Sequence, residues 1–273
     1  CAGMGLTGII LKAKLRLVKL KSNTMEIKNF FFQDYKKLVN FISTKNTIYS
    51  ITWIDFYSIK RTNLRAIFSE GNFLNKNEII KKNNFKIPHI ISRIYFNKVL
   101  IKFFNIIFFY FKKNKNTELK NYRNFLLPFD NFSYNKNFYG NDKIVQVQII
   151  IKKKDFNKKL IQLLNKLKIL DLDCYLIGIK KFGVKNMNFL SFPEKGYTIT
   201  VDILLNNKSK KKIKILQNYL IKEKFKINLT KDILMEKKIF YKTYPNAKKF
   251  LDIKNKYDKK NKFNSSMFSR IYN

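Results

Sequence analysis

The order of strand and helix patterns between positions 143 and 229 constrains the fold more than any other feature of this sequence. Apolar and polar residues alternate along the strand patterns, and leucines at helical spacing mark the first helix, which Asp155 is placed to cap. The order β-α-β-β-α-β predicts an α+β fold, with an antiparallel sheet and both helices on one face. In chain order the strands lie at 144–151, 173–180, 197–205 and 225–229, with helices after Asp155 and through Ile213, Leu216 and Leu220.

The rest of the chain also reads as strands and helices. A glycine-rich stretch, with Gly3, Gly5 and Gly8, leads into an alternating segment at 9–17, which we interpret as a loop feeding a half-buried strand. No helix follows these glycines, so they do not form a dinucleotide-binding fingerprint. Further predicted elements are strands at 24–31, 49–55 and 64–70, helices at 33–43 and near 90–112, a solvated connection at 112–116 and a helical C-terminal tail.

The formal net charge of +39 has two explanations. It indicates a polyanionic partner, such as nucleic acid or an anionic membrane, or it reflects an AT-rich coding sequence that favours Lys, Asn, Ile, Phe and Tyr. The sequence lacks the usual nucleic-acid-binding motifs, so no nucleic-acid partner is expected. The apolar run at 99–111 is shorter than the roughly 20 residues of a spanning helix and contains Lys102 and Asn105, which favours a buried or interfacial helix.

Several common catalytic and metal sites are excluded by composition. Cys1 and Cys174 are the only cysteines, so the chain cannot build a disulfide framework or a thiolate metal site. His89 is the only histidine, which argues against a Ser-His-Asp triad and a histidine metal cluster. No metal site is predicted.

A few polar residues stand out from the strand pattern. Gln146 and Gln148 share one face of their strand, either as an exposed polar face or as amides that need partners. Lys180 ends the next strand, where a solvated lysine is the default. Lys231 follows the last strand, a position suited to reaching an anion or a cofactor. The loop at 183–196 is apolar enough to pack against another part of the protein.

An ordered series of motifs along the chain resembles the decaprenylphosphoryl-β-D-ribose 2-oxidase family, which belongs to the vanillyl-alcohol-oxidase type of FAD-linked oxidoreductases. The series covers nearly the whole sequence. Its members are GMGLTGII, YSITWID, LLPFDNFSYNKNFYG, IVQVQ, IKKFG, LSFPEKGYTITVD, LTKD, TYPNAKKF and YDKKNKFNSSMFSR.

The resemblance implies a discontinuous architecture. Residues 1–22 would end the FAD-binding domain, 23–225 would form the substrate-binding cap with its antiparallel sheet, and 226–273 would return to the FAD-binding domain. The chain would then correspond to the C-terminal portion of such an enzyme and would be inactive alone.

The resemblance also implies roles for individual residues. Lys231 matches a lysine beside flavin and substrate, and Gln146 and Gln148 match paired glutamines near the flavin. Lys180 and Thr200 match pocket positions, although some members carry cysteine where Thr200 stands. The remaining matches are Gly3, Gly5, Leu6 and Thr7 in the FAD-contacting turn, Asn228 where some members have tyrosine, and Ala2 in place of a glycine.

The implied activity is oxidation of a sugar hydroxyl, namely the 2-hydroxyl of a polyprenyl-phosphoryl ribose, with FAD as cofactor and hydride transfer to flavin N5. A short-chain reductase is the implied partner, and a cytoplasmic location with peripheral membrane contact is expected. Two alternatives stay open: an aldonolactone oxidase acting on a small sugar lactone, and a basic nucleic-acid or membrane-binding protein without catalysis.

Overall fold

One antiparallel sheet organises the computed structural model, which describes residues 3–75, 79–81, 97–128, 143–231 and 234–272. The sheet of the described residues has eight strands. These are β1 (Thr24–Asp34), β2 (Tyr49–Lys60), β3 (Asn63–Phe73), β4 (Thr117–Asn121), β5 (Lys143–Lys152), β6 (Cys174–Phe182), β7 (Gly196–Leu205) and β8 (Lys226–Ile227). Their order across the sheet is β4-β1-β3-β2-β6-β7-β5-β8.

Helices fill the connections and the C-terminal tail. They are α1 (Tyr35–Thr44), α2 (Lys98–Lys113), α3 (Tyr122–Leu126), α4 (Phe156–Ile169), α5 (Asn207–Lys222), α6 (Lys237–Thr243), α7 (Ala247–Tyr257) and α8 (Ser266–Tyr272). In the described part of the chain, no helix is long and apolar enough to cross a membrane.

The β-α-β-β-α-β prediction for the second half is confirmed by β5, α4, β6, β7, α5 and β8. Strand β7 pairs antiparallel with both β5 and β6, with Thr200 opposite Gln148 on one side and Gly178 on the other. Asp155 stands at the N-cap position of α4, as the sequence predicts, but its side chain makes no capping hydrogen bond, and a 3-10 turn (Lys153–Asp155) precedes the helix. Helix α5 begins with a reciprocal Asn206–Ser209 capping box.

One face of the sheet packs against α1, α4 and α5 to form the main hydrophobic core. Alternate residues of the central strands point into this core. Phe156 at the start of α4 stacks on Tyr197 of β7, with ring centroids 3.9 Å apart. The core residues of the two strands nearest the site are Val145, Val147, Ile149 and Ile151 in β5, and Tyr197, Ile199, Val201 and Ile203 in β7.

The opposite face carries helix α2 at one end. Phe108 of α2 packs edge-on against Trp53 of β2, with ring centroids 5.2 Å apart. Beside this contact, Asn105 Nδ2 donates to the buried carboxylate of Asp55 at 2.9 Å. The predicted apolar helix near 90–112 therefore exists from Lys98 to Lys113, while its first predicted residues lie outside the described ranges. Strand β4 and helix α3 have no counterpart among the elements predicted from the sequence.

The alternating strand predicted at 9–17 is wrong. This segment has no strand assignment and is exposed on both sides, with Leu11 and Leu17 more than four-fifths exposed. A strand forms only where a neighbour satisfies its backbone groups, and none of the described strands pairs with it. The apolar loop before β7 behaves as predicted, because Leu190 and Phe192 are buried.

The C-terminal helices pack against the sheet edge at β8. The hydroxyl of Tyr244 donates to the carbonyl of Ile227 at 2.7 Å. Lys254 and Asp258 form a buried ion pair at 2.6 Å. The domain boundaries at 22 and 225 stay a prediction.

Candidate functional site

A row of polar side chains crosses the face of the sheet that α1, α4 and α5 leave open. Gln146 and Gln148 lie on β5 between residues that point into the core, so strand alternation directs both amides to the open face. Opposite them on β7 are Asp202 and Thr200, and Thr198 follows two residues away on the same face. The row therefore consists of amides, hydroxyls and one carboxylate, all half-buried except Thr198, which is buried.

The glutamine amides are satisfied by hydrogen bonds across the strands. Gln146 Nε2 donates to Asp202 Oδ1 at 2.6 Å. Gln148 Nε2 donates to Thr198 Oγ1 at 3.0 Å, and Gln148 Oε1 accepts from Asn228 Nδ2 at 2.6 Å. Of the two interpretations open for these glutamines, partnered amides fit the structure. The bonds fix the orientation of both side chains without filling all their donor and acceptor positions.

Asn228 connects the row to the turn that carries Lys231. Its backbone N–H donates to the carbonyl of Gln148 at 2.8 Å, extending the β5–β8 pairing. Its side-chain oxygen accepts from the N–H and the hydroxyl of Thr230, at 3.0 and 2.9 Å. These bonds hold the 3-10 turn Leu229–Lys231 at the edge of the sheet, where Lys231 is exposed.

Asp202 has an unusual electrostatic environment for a carboxylate. Burial raises its pKa above the usual range, against the opposing effects of the Gln146 hydrogen bond and the positive charge of Lys231. The site therefore combines a carboxylate that holds its proton more tightly than usual with a nearby ammonium group. A carboxyl group and an ammonium group at one site can orient a hydroxyl or an anion.

Lys180 and Thr200 border the same row on β6 and β7. Lys180 lies opposite Thr198, and partial desolvation lowers its pKa although the side chain is exposed. The Thr200 hydroxyl donates to the carbonyl of Gly178 at 3.3 Å. Several residues singled out from the sequence thus lie together on one sheet face or its edge: Gln146, Gln148, Lys180, Thr200, Asn228 and Lys231.

The glycine-rich turn lies against α7. Leu6 N–H donates to the carbonyl of Gly3 at 2.9 Å, and Leu6 is buried in the core, whereas Gly5 and Thr7 are exposed. A Cβ on Gly3 would lie 3.5 Å from the ring of Phe250 and 2.9 Å from the Thr7 hydroxyl, so the turn leaves little room for a side chain. Gly5 has a φ of +74°, which favours glycine.

Asp202 and Thr198 belong to the site although the sequence patterns did not single them out. Both lie in the strand pattern YTITVDILL, where Thr198, Thr200 and Asp202 recur with the same period of two as the glutamines. That periodicity was a usable signal. Ala2, His89 and residues 129–140 of the family-like motif lie outside the described residues.

The linings of the grooves in the described part of the chain do not include the residues of this row. One groove of about 580 Å³ runs along the part of β1 that extends beyond β4, lined by Phe30, Phe31, Phe32 and Phe41 among others. Its lining contains none of the residues singled out from the sequence, and its Asn29 amide is already bonded to Ser69, Glu118 and the Lys115 carbonyl, so we place the candidate site on the open polar face.

Comparison with known proteins bears on the fold. No protein-family model and no curated protein sequence matches this chain. Among solved structures, a solvent-stable cholesterol oxidase aligns with a TM-score of 0.56 at 10% identity, covering 91% of this chain and 60% of that one. Two single-residue variants of berberine bridge enzyme align with TM-scores of 0.47 and 0.46, at 10% and 9% identity, over 89% of this chain and 55% and 54% of theirs.

The likeness to the cholesterol oxidase defines a shared α+β fold. This chain spans about three-fifths of that protein's length.

Proposed function

We propose that this chain is the substrate-binding part of an FAD-dependent oxidoreductase that oxidises a sugar hydroxyl. The specific substrate we propose is the 2-hydroxyl of a polyprenyl-phosphoryl ribose. The single observation that carries the proposal is the hydrogen-bonded row of Gln146, Asp202, Gln148 and Asn228 on the open face, with Lys231 at its edge. The shared fold with a protein named as a cholesterol oxidase supports the class of enzyme.

The residues of the row fit a flavin and a sugar by their chemistry. Amides and ammonium groups donate hydrogen bonds to ring nitrogens and carbonyl oxygens, and the paired glutamines are already oriented by their partners. The turn at Gly3, Gly5, Leu6 and Thr7 would hold another part of the cofactor. FAD, when bound, supplies the acceptor for the hydride.

The protein groups would divide the remaining work. Lys231 would offset the negative charge that develops beside the substrate, since an ammonium group stabilises a nearby anion. Gln146 and Gln148 would orient the sugar ring, and Lys180 and Thr200 would line the pocket from the neighbouring strands. Holding the reacting carbon in place lowers the barrier by removing translational freedom before the reaction.

The visible absorption spectrum of the full-length protein, purified and supplied with FAD, tests the class of enzyme. We expect a bound flavin whose absorbance bleaches anaerobically with a polyprenyl-phosphoryl pentose. Bleaching with an aldonolactone alone would replace the sugar-lipid substrate by the lactone. A protein that binds no flavin, and whose binding to nucleic acid weakens steeply with salt, would contradict the proposal.

Lys231→Ala tests the assigned role of the lysine. We expect turnover to fall to a small fraction of the unmodified enzyme, because the charge beside the substrate is lost. Lys222→Ala is the matched control, since it removes the same charge from an exposed position on α5, at the helix-covered face. Near-normal turnover of Lys231→Ala would remove the lysine from the mechanism.

A further inference from the structure

Helix α2 turns its apolar side away from the protein, unlike an ordinary surface helix. Its buried stripe is narrow and consists of Ile101, Asn105 and Phe109. The side that faces away from the sheet is apolar along its whole length, whereas a helix on a protein surface normally turns its polar side outward. The exposed apolar side chains are Val99, Leu100, Phe103, Phe104, Ile106, Ile107, Tyr110 and Phe111.

The contacts beneath the helix prevent it from rolling to bury this surface. Asn105 donates to the fully buried Asp55, and Phe109 packs edge-on against Phe31 with ring centroids 5.7 Å apart. Turning the apolar side inward would remove the Asn105 hydrogen bond from a buried carboxylate, which is strongly unfavourable. The apolar side therefore stays outward.

The charges around the helix favour an anionic lipid surface over a second copy of the chain. The helix has four lysines and no acidic residue. Lys98 and Lys112 pair with carboxylates beside the sheet, while Lys102 and Lys113 border the apolar side and have no ion-pair partner in the described part of the chain. Two copies, each with a net charge of +39, would repel one another.

We propose that helix α2 docks the protein on an anionic lipid bilayer, with its outward apolar side in the interface and Lys102 and Lys113 at the headgroups. An exposed apolar helix side bordered by lysines is the pattern of a helix that lies in the membrane plane. Aromatic side chains, here including Tyr110, suit the boundary between headgroups and acyl chains.

The docking surface and the polar row lie on the same face of the sheet. Trp53 of β2 contacts the helix and pairs with Gly178 of β6. Gly178 pairs with Thr200 of β7, and Thr200 pairs with Gln148 of β5. Three strand spacings, roughly 14 Å, separate Trp53 from Gln148. Resting on the proposed function, this arrangement would place the site beside a bilayer that contains a lipid-linked sugar.

Cosedimentation of the full protein with vesicles tests the docking. The probe is phosphatidylcholine containing about 30% phosphatidylglycerol, with pure phosphatidylcholine for comparison. We expect binding to the anionic vesicles, and we expect the Phe103→Ser/Ile107→Ser double variant to bind about tenfold or more weakly, because two interfacial apolar side chains are lost. Ile169→Ser is the matched control, since Ile169 is equally apolar and exposed at the end of α4.

A second double variant tests whether the helix or the exposed apolar segment at 9–20 is responsible for vesicle binding. Leu11→Ser/Leu15→Ser changes the cationic stretch at 9–20 and should leave most of the binding intact. Equal vesicle binding by the helix variant and the unmodified protein would overturn the proposal. A dimer that the helix variant dissociates, without vesicle binding, would assign the surface to a second copy instead. Because these readouts need no turnover, failure of the proposed oxidation would leave the docking result standing.

Discussion

The two faces of the sheet are built from the same strands and yet serve different ends. On the helix-covered face, β5 and β7 contribute only apolar side chains to the core, together with Tyr197. On the open face the same strands contribute Gln146, Gln148, Thr200 and Asp202, joined by hydrogen bonds. The alternation of a strand thus separates stability from chemistry within one element. Substitutions on the two faces should therefore differ in whether they affect folding or function.

The largest effect on stability is expected on the helix-covered face. Leu163→Ala removes a leucine of α4 that is 1% exposed and should lower the free energy of unfolding by about 3 kcal/mol, because it leaves a cavity in the core. Chemical denaturation measures this change. Ile169→Ala, at an exposed position of the same helix, should change stability by less than about 0.5 kcal/mol. Similar values for both variants would contradict the assigned core.

A comparable loss is expected at the buried carboxylate under α2. Asp55 receives hydrogen bonds from Arg65 at 2.6 and 3.1 Å and from Asn105. Asp55→Ala leaves Arg65 without its partner and should lower stability by about 3 kcal/mol. Asp252→Ala, at an exposed position of α7, is the control. If Asp55→Ala left both stability and vesicle binding unchanged, the Asn105–Asp55 hydrogen bond would not be needed to hold α2 on the sheet.

The sequence predicts the folded core better than it predicts the site. Periods of 2 and 3.6 indicated the order and type of β5, α4, β6, β7, α5 and β8, since these elements have a buried side to mark them. The same logic failed at 9–17, where alternation is present and no described strand supplies the backbone partners. The alternation of apolar and polar residues within a segment does not show whether a neighbouring strand will pair with it.

The polar row shows a second limit. Gln146 and Gln148 are conspicuous because polar residues interrupt an apolar strand, but their partners are distant in sequence. Asp202 is 56 residues from Gln146, and Asn228 is 80 from Gln148. Only the strand register brings these pairs together, and register is a property of the whole sheet.

A smaller change in stability, with a larger change in function, is expected for Gln148→Leu. The substitution removes the partner of both Asn228 and Thr198, so unfolding should become easier by about 1 kcal/mol. The turn that holds Lys231 should lose order, and flavin or substrate binding should weaken more than thermal stability does. Thr117→Val at the sheet edge, exposed and remote from the row, is the control. Parallel losses of stability and binding would indicate a purely structural role for the glutamine.

The smallest change in stability is expected for Asp202→Asn, and its sign should depend on pH. Burial raises the pKa of Asp202 in the folded protein, so the folded state binds this proton more tightly than the unfolded chain does. The stabilisation from that proton is fully present below the unfolded pKa of about 3.9 and is lost as the pH rises through the folded pKa. Above that pH range this stabilisation is absent, because partial burial opposes the negative charge of the half-buried Asp202 carboxylate.

Asparagine has no charge to bury and keeps an oxygen that can accept the Gln146 hydrogen bond. We therefore expect Asp202→Asn to raise the melting temperature at pH 7 and to lose this advantage at about pH 4, while activity falls at both values. Asp252→Asn, which alters an exposed carboxylate of α7, controls for the change in net charge. A stabilisation that did not depend on pH would mean that packing, and not ionisation, sets the difference. A destabilisation at pH 7 would mean that the charge of Lys231 outweighs burial, and Asp202 would then belong with the groups that hold the open face together.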